Sequence, residues 1–243
     1  MATSGRVPAS RLWHGLTAIV ALVSIGIELT LVANGHNPLL ATDAPPAATR
    51  VIRFLSYFTI QSNLLVAMSV GLLALRPDRD GPAWRVLRLD GLFGITVTFV
   101  TYAALLAPLH DPHGITALTN AGLHYVVPIM TILGWLAFGP RPRITENTIV
   151  LALIWPALYI GYTLIHGAAS DWYPYPFIDV THLGYATALR NGVGLIVLMA
   201  GVASLYRYLD RRLPSTDPER SYFAGKSSTG ARSREAQPDG AAP

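Results

Sequence analysis

The chain has 243 residues, of which 51% are hydrophobic and only 13% charged, about half the charged share of an ordinary soluble domain. It carries no cysteine, which excludes a disulfide framework and a thiol nucleophile. The formal net charge of +4 comes from arginines that flank apolar segments, not from a basic patch interleaved with aromatics, so nucleic acid is not an expected partner.

The N-terminal MATSGRVPASRLW leads into an apolar run over residues 12–33. This run is longer than the core of a signal peptide and has no clear small-residue cleavage site, so it reads as a first transmembrane helix. Spanning a bilayer takes about 20 mainly apolar residues. Five further segments meet that requirement, at 54–75, 89–108, 122–138, 148–167 and 187–206, with the fourth starting as early as Leu118. An open sheet edge in lipid would leave backbone groups unpaired, so the expected fold is an all-α membrane protein, a bundle of six transmembrane helices over residues 1–212. From residue 213 the chain turns rich in Pro, Ser, Gly and charge, which predicts a disordered cytoplasmic tail over 213–243. No internal repeat relates the first three helices to the last three.

Lys and Arg set the orientation. Fifteen of the eighteen lie in the N-terminal segment, the loops after helices two and four, and the C-terminal segment. Only Arg50, Arg53 and Arg190 fall on the other side. The asymmetry predicts that both termini are cytoplasmic and that the protein is a multi-pass component of the cell membrane.

With that orientation, polar residues gather near one depth. Helices two and four enter from the outside and carry Thr59 and His124, while helices one, three and five bring Glu28, Tyr102 and His166 to their outer ends. Helix six begins there with Arg190 and Asn191. The stretch YFTIQSN, residues 57–63, places four polar side chains in an otherwise apolar span. Intramembrane polar residues mark functional sites by default, but they also tie helices together. Gln61 and Ser62 are read as such ties, and Asn63, four residues beyond Thr59, as an orienter of a pocket. Glu28 has a structural alternative, pairing with Arg190 or Arg53. Thr96, Thr98 and Thr101 can bond back to their own helix and are assigned no chemistry.

No phosphate-binding, dinucleotide or zinc-protease motif stands at a convincing place, and no cofactor is expected. The loop LHDPH holds His110, Asp111 and His113, donors suited to zinc, yet loop histidines need no metal and none is expected. A threonine hydroxyl needs a neighbouring base to become a nucleophile, and histidine suits that task. Thr59 and His124, at matching depth on different helices, form one such pair among several that could be drawn.

Three stretches carry a resemblance: FLSYFTIQSNLL in helix two, NAGLHYVVPIM opening helix four, and DWYPYPFID in the last outward loop. Together they resemble the androgen-induced protein family of integral-membrane threonine hydrolases, six-span enzymes that cleave fatty acid esters of hydroxy fatty acids. The likeness spans roughly residues 12 to 206, and the chain also looks like bacterial membrane proteins related to that family. The resemblance implies that Thr59 is the nucleophile, that His124 is the catalytic histidine and Asn120 the family's asparagine, and that Trp172, Tyr175, Pro176 and Phe177 carry the loop signature. That loop is read either as a cap over the pocket or as an aromatic anchor at the membrane interface. Three features depart from the family pattern: Ala121 replaces its first histidine, Pro128 comes one residue early, and Asn63 stands four rather than three positions after the threonine, which leaves Ser62 as an alternative nucleophile.

The expected function is hydrolysis of a lipid-like ester taken from the membrane. Asn63, Asn120, Arg190 and Glu28 are the candidates for oxyanion stabilisation or for polar pocket lining. The rival readings are a non-enzymatic protein that binds or transports a lipid or small molecule, and a scaffold whose polar residues only lock the helices.

Overall fold

The computed structural model describes residues 6–36, 45–109 and 111–216, and these form only helices and connecting turns. His110 and residues 217–243 of the expected tail lie outside the described residues. Six helical stretches are long and apolar enough to cross a membrane: Val7–Ala33, Phe58–Leu75, Pro82–Leu106, Ile115–Phe138, Glu146–Ser170 and Val180–Arg212. Large apolar side chains such as Ile165 and Val197 stand exposed on the outside at 74% and 65%, as suits a multi-pass membrane protein whose outer surface meets lipid.

In chain order the helices are α1 (Arg6–Ala33), α2 (Ala47–Leu55), α3 (Phe58–Leu75), α4 (Pro82–Thr101), α5 (Ile115–Ala121), α6 (Val127–Phe138), α7 (Glu146–Ala152), α8 (Ile154–Ser170) and α9 (Val180–Arg212). A π turn, Tyr102–Leu106, prolongs α4, and a second, Gly122–Val126, joins α5 to α6 within one span. Neighbouring spans run antiparallel. Arg11, near the start of α1, donates to the carbonyls of Ala74 and Leu75 at the end of α3 (3.1 and 2.7 Å). At the other face Glu28, near the end of α1, accepts from the Thr119 hydroxyl of α5 at 2.6 Å.

Several arginines read from the sequence as topology signals also satisfy helix ends, whose last carbonyls have no partner within the helix. Arg11 does this for α3. Arg50 reaches from α2 to the carbonyls of Val32 and Ala33 at the end of α1, and Arg141 binds those of Trp135 and Leu136 at the end of α6.

Span boundaries differ from the expected ones in two places that matter. The second expected helix, 54–75, is broken: α2 stops at Leu55, Tyr57 is extended (φ −71, ψ 130) and α3 starts at Phe58. The Ser56 hydroxyl bonds back to the Ile52 carbonyl (2.7 Å) and meets Tyr162 Oη (2.6 Å), local bonding that competes with helix continuation. The third span starts at Pro82 rather than 89, so Arg85 and Arg88 ride on a helix instead of a loop, and Arg88 is buried at 5% exposure. Proline at the first helical position fits this start because its missing N–H would be unpaired there anyway. Residues 213–216 extend the ordered chain into the expected tail, with Thr216 exchanging hydrogen bonds with the backbone of Arg141.

The core lies between α4 and its neighbours, where Leu89, Leu92, Phe93 and Trp135 are at most 2% exposed. The seam of α1 with α3 is built from Ala18, Ala21, Val66, Ala67 and Val70, whose alanines let the membrane helices approach closely. Gly122 permits a similar approach at the site end of the bundle: a Cβ there would stand 2.3 Å from Ser24 Oγ on α1. Gly122→Ala is therefore expected to destabilise the protein by about 1–3 kcal/mol. Adding Ser24→Ala, which removes the clashing oxygen, should restore part of that loss in thermal unfolding in detergent.

Candidate active site

The break at Ser56–Tyr57 decides what Thr59 can do. Thr17, Thr30, Thr96 and Thr131 each spend their hydroxyl on the carbonyl four residues back. Thr59 is the second residue of α3, so its own helix offers no such carbonyl. Leu55, four residues back on α2, instead accepts from Gln61 Nε2 at 3.2 Å. The Thr59 hydroxyl turns to α5–α6 and meets His124 Nε2 at 3.3 Å.

His124 sits in the middle of the π turn Gly122–Val126, a local widening of the helix that recurs at functional sites. Its Nδ1 lies 3.1 Å from the Asn120 carbonyl oxygen. A carbonyl only accepts, so that hydrogen bond requires the proton on Nδ1 and leaves Nε2 with a lone pair toward Thr59. The ring is further held by Tyr102, which stacks on it at 3.8 Å with planes 21° apart. Tyr102 Oη in turn accepts from Asn120 Nδ2 at 2.6 Å. Asn120 thus holds the His124 ring through its backbone carbonyl and, through Tyr102, by its side chain, whose amide donates to Tyr102 Oη.

Asn63, a candidate for oxyanion stabilisation or pocket lining, has its amide group engaged by the backbone. Its Nδ2 donates to the Thr59 carbonyl (2.8 Å) and to the Leu123 carbonyl (3.2 Å), which occupies both amide hydrogens and pins α3 to the π turn. Arg190 is exposed and joins none of these hydrogen bonds. Glu28, expected to pair with Arg190 or Arg53, meets the Thr119 hydroxyl one residue before Asn120 instead. Of the other polar residues of YFTIQSN, Gln61 does tie helices, accepting from Trp155 Nε1 at 3.2 Å. Ser62 does not: among the described residues its buried hydroxyl has no hydrogen-bond partner, and it does not line the cavity described below.

The loop after α8 closes over the start of α3. Tyr57 packs edge-on against both Trp172 (5.6 Å) and Tyr175 (5.7 Å), Tyr175 stacks on Phe177 (5.1 Å), and Arg53 lies over the Trp172 ring. Pro176 is exposed and starts a short 3-10 turn, Pro176–Ile178. The loop is seated by Asn191, which donates to the Phe177 carbonyl at 2.8 Å. It is also seated by Tyr173, whose ring lies where a Cβ on Gly167 would come within 2.0 Å. Trp172, Tyr175 and Phe177, the residues expected to cap the site, thus pack together with Tyr57 at the start of α3, and one of them also reaches Thr59.

Tyr175 Oη accepts the Thr59 amide N–H at 3.3 Å. That amide is one of the first four of a helix and has no intrahelical partner. Burial pushes the Tyr175 phenol up to about 12, so it keeps its proton and stays a donor. Sequence reading finds Tyr175 only as part of a loop signature, and no spacing in the chain announces its contact with residue 59.

Thr59, Tyr102 and Tyr175 line a partly open cavity of about 40 Å³. Its far walls are apolar, from residues such as Val97, Ile160, Leu195 and Met199. Thr98, assigned only a bond to its own helix, faces this cavity with a buried hydroxyl that has no hydrogen-bond partner. Among the described residues no group of three or more His, Asp or Glu is placed to hold a metal ion.

Comparison with protein-family models, with curated proteins and with solved structures gives no match. The chemistry of this site therefore rests on its own geometry.

Proposed function

We propose that the protein hydrolyses a lipid-like carboxylic ester drawn from the membrane, with Thr59 as nucleophile and His124 as general base. The observation that carries this reading is the Thr59–His124 contact, made with the lone pair of Nε2 turned to the hydroxyl and with Thr59 lining a largely apolar cavity. His124 takes the proton as Thr59 Oγ1 attacks the ester carbonyl, and the carbonyl oxygen becomes the oxyanion of a tetrahedral intermediate. Tyr175 Oη donates its proton in a hydrogen bond to that oxyanion, its own oxygen polarised by the Thr59 amide at the positive end of α3. Collapse of the intermediate breaks the ester C–O bond. His124 returns the proton to the leaving alcohol, and the acyl group stays on Thr59. Water then attacks the acyl carbonyl with His124 again as base, releasing the acid and restoring the threonine.

The substrate class follows from the walls. A cavity lined by Val97, Leu195 and Met199 suits an aliphatic chain, and burying each methylene is worth about 0.8 kcal/mol. The Lys and Arg asymmetry supports an orientation with the site toward the extracytoplasmic leaflet, where an ester could enter sideways from lipid. The test is turnover of 4-methylumbelliferyl acetate, butyrate and octanoate by protein reconstituted in phosphatidylcholine liposomes. Thr59-dependent kcat/KM should rise more than tenfold from acetate to octanoate. Absence of any Thr59-dependent turnover across the series would defeat the hydrolase and leave the cavity as a site of non-enzymatic lipid binding or transport.

A further inference from the structure

A second polar centre lies at the opposite, arginine-rich end of the bundle and takes no part in the chemistry at Thr59. Arg88, on the second turn of α4, is 5% exposed, and none of its three guanidinium nitrogens has a hydrogen-bond partner among the described residues. Arginine does not deprotonate to relieve that cost, and a buried charge without a counterion is penalised by several kcal/mol. The side chain lines a small cavity shared with Trp84, Arg85, Arg143, Pro140 and Asp210.

The neighbours of Arg88 are committed elsewhere. Asp80 holds Arg85 through both oxygens at 2.6 Å and also pairs with Arg143. That pairing holds the Asp80 carboxyl down at about 2, chiefly through Arg85, so neither arginine lacks an anion. Asp210 Oδ2 accepts from the amides of Arg143 and Ile144 at 2.7 and 2.8 Å. Trp84 and Asp210, which line the same cavity, each carry a buried polar atom without a hydrogen-bond partner among the described residues: the indole N–H, a donor, and Asp210 Oδ1, an acceptor. The cavity lining therefore combines a fixed cation with up to five donors, an indole donor and a carboxylate acceptor.

We propose that this cavity binds a phosphate ester group, its phosphate oxygens on Arg88 and Trp84 and a hydroxyl or ammonium donor of the same ligand toward Asp210. Arg88 stands about 9 Å along the helix axis from Pro82, near the boundary between headgroups and hydrocarbon, which a phospholipid headgroup or a free phosphate ester can both reach. A planar guanidinium matches phosphate oxygens two at a time, and basic pockets between membrane helices are a recurring setting for headgroups.

The experiment follows thermal unfolding of detergent-solubilised protein by tryptophan fluorescence. The probes are glycerol 3-phosphate, dioctanoyl phosphatidylglycerol in mixed micelles, and dioctanoyl glycerol as the phosphate-free control. A saturable upward shift in wild type, absent with dioctanoyl glycerol and lost in Arg88→Met, is the expected result. A shift with both phosphate probes assigns a free phosphate ester as sufficient, and one with phosphatidylglycerol alone assigns the lipid. Should Arg88→Met not fold, Trp84→Phe decides: it keeps the ring, removes one donor, and should raise the half-saturating concentration about tenfold. Absence of a saturable shift with either phosphate probe, or the same half-saturation in wild type and Trp84→Phe, overturns the site.

Discussion

Thr59→Ala is expected to lower turnover of an octanoyl ester by roughly 10⁴-fold or more, His124→Ala by a comparable factor, and the double variant by no more than the larger single loss. Nucleophile and base act as one unit, so once either is gone the other contributes almost nothing. The geometry gives the reason. His124 Nε2 lies 3.3 Å from the Thr59 hydroxyl, and Thr59 has no carbonyl of its own helix to fall back on. Thr59→Ser keeps the oxygen and should retain measurable activity, whereas a purely structural threonine would make alanine and serine differ mainly in unfolding temperature. Steady-state kinetics on folded protein of each variant checks this. Additive losses, with the double variant worse by the product of the two, would show that the residues act separately.

Tyr175→Phe is the second large effect, about 10²- to 10³-fold in kcat, the range typical of losing one oxyanion donor. The aromatic ring that packs against Tyr57 and Phe177 is retained, so substrate affinity and the seating of the loop should change little. The phenol also sets the alkaline behaviour. Its folded value is raised to about 12 by burial, above the ordinary value near 10. The stabilisation it brings is therefore complete below about 10 and is lost as pH rises through about 12. Turnover measured against pH should accordingly hold across pH 8–10 in wild type. A fall in KM-limited rate alone, with kcat intact, would make Tyr175 a binding wall instead of a donor.

Much of the architecture is legible in the chain because hydropathy and length alone separate six spans, and Lys and Arg flank them unevenly. The boundaries that matter to the site are not legible. FLSYFTI contains neither glycine nor proline, and nothing in it marks that Ser56 bonds backward while Tyr57 turns outward to meet Trp172 and Tyr175. Reading 54–75 as one helix puts Thr59 in mid-helix, where its hydroxyl would be expected to return to a carbonyl as that of Thr96 does. The break at Tyr57 instead places Thr59 in the first turn and leaves both its amide and its hydroxyl available.

The pairing of Thr59 with His124 is readable from matching depth and from family resemblance, but the tautomer depends on a π turn that has no sequence signature. Asn63 and Asn120 are legible as polar residues near the pair, but their partners are not: Asn63 donates to the carbonyls of Thr59 and Leu123, and Asn120 to Tyr102 Oη. Arg190 is named for its charge alone and stands exposed. Arg88 is passed over as one more loop arginine, since the polar run around it hides the early start of α4 at Pro82.

The most direct test of the central claim is to treat wild type, Thr59→Ala and His124→Ala, matched for folded protein, with a small alkyl fluorophosphonate and to locate the adduct by peptide mass spectrometry. An activated threonine predicts a single phosphonylated residue, Thr59, in wild type and no adduct in either variant. An unmodified wild type, or an adduct that survives Thr59→Ala on Ser62 or elsewhere, would contradict Thr59 as the nucleophile.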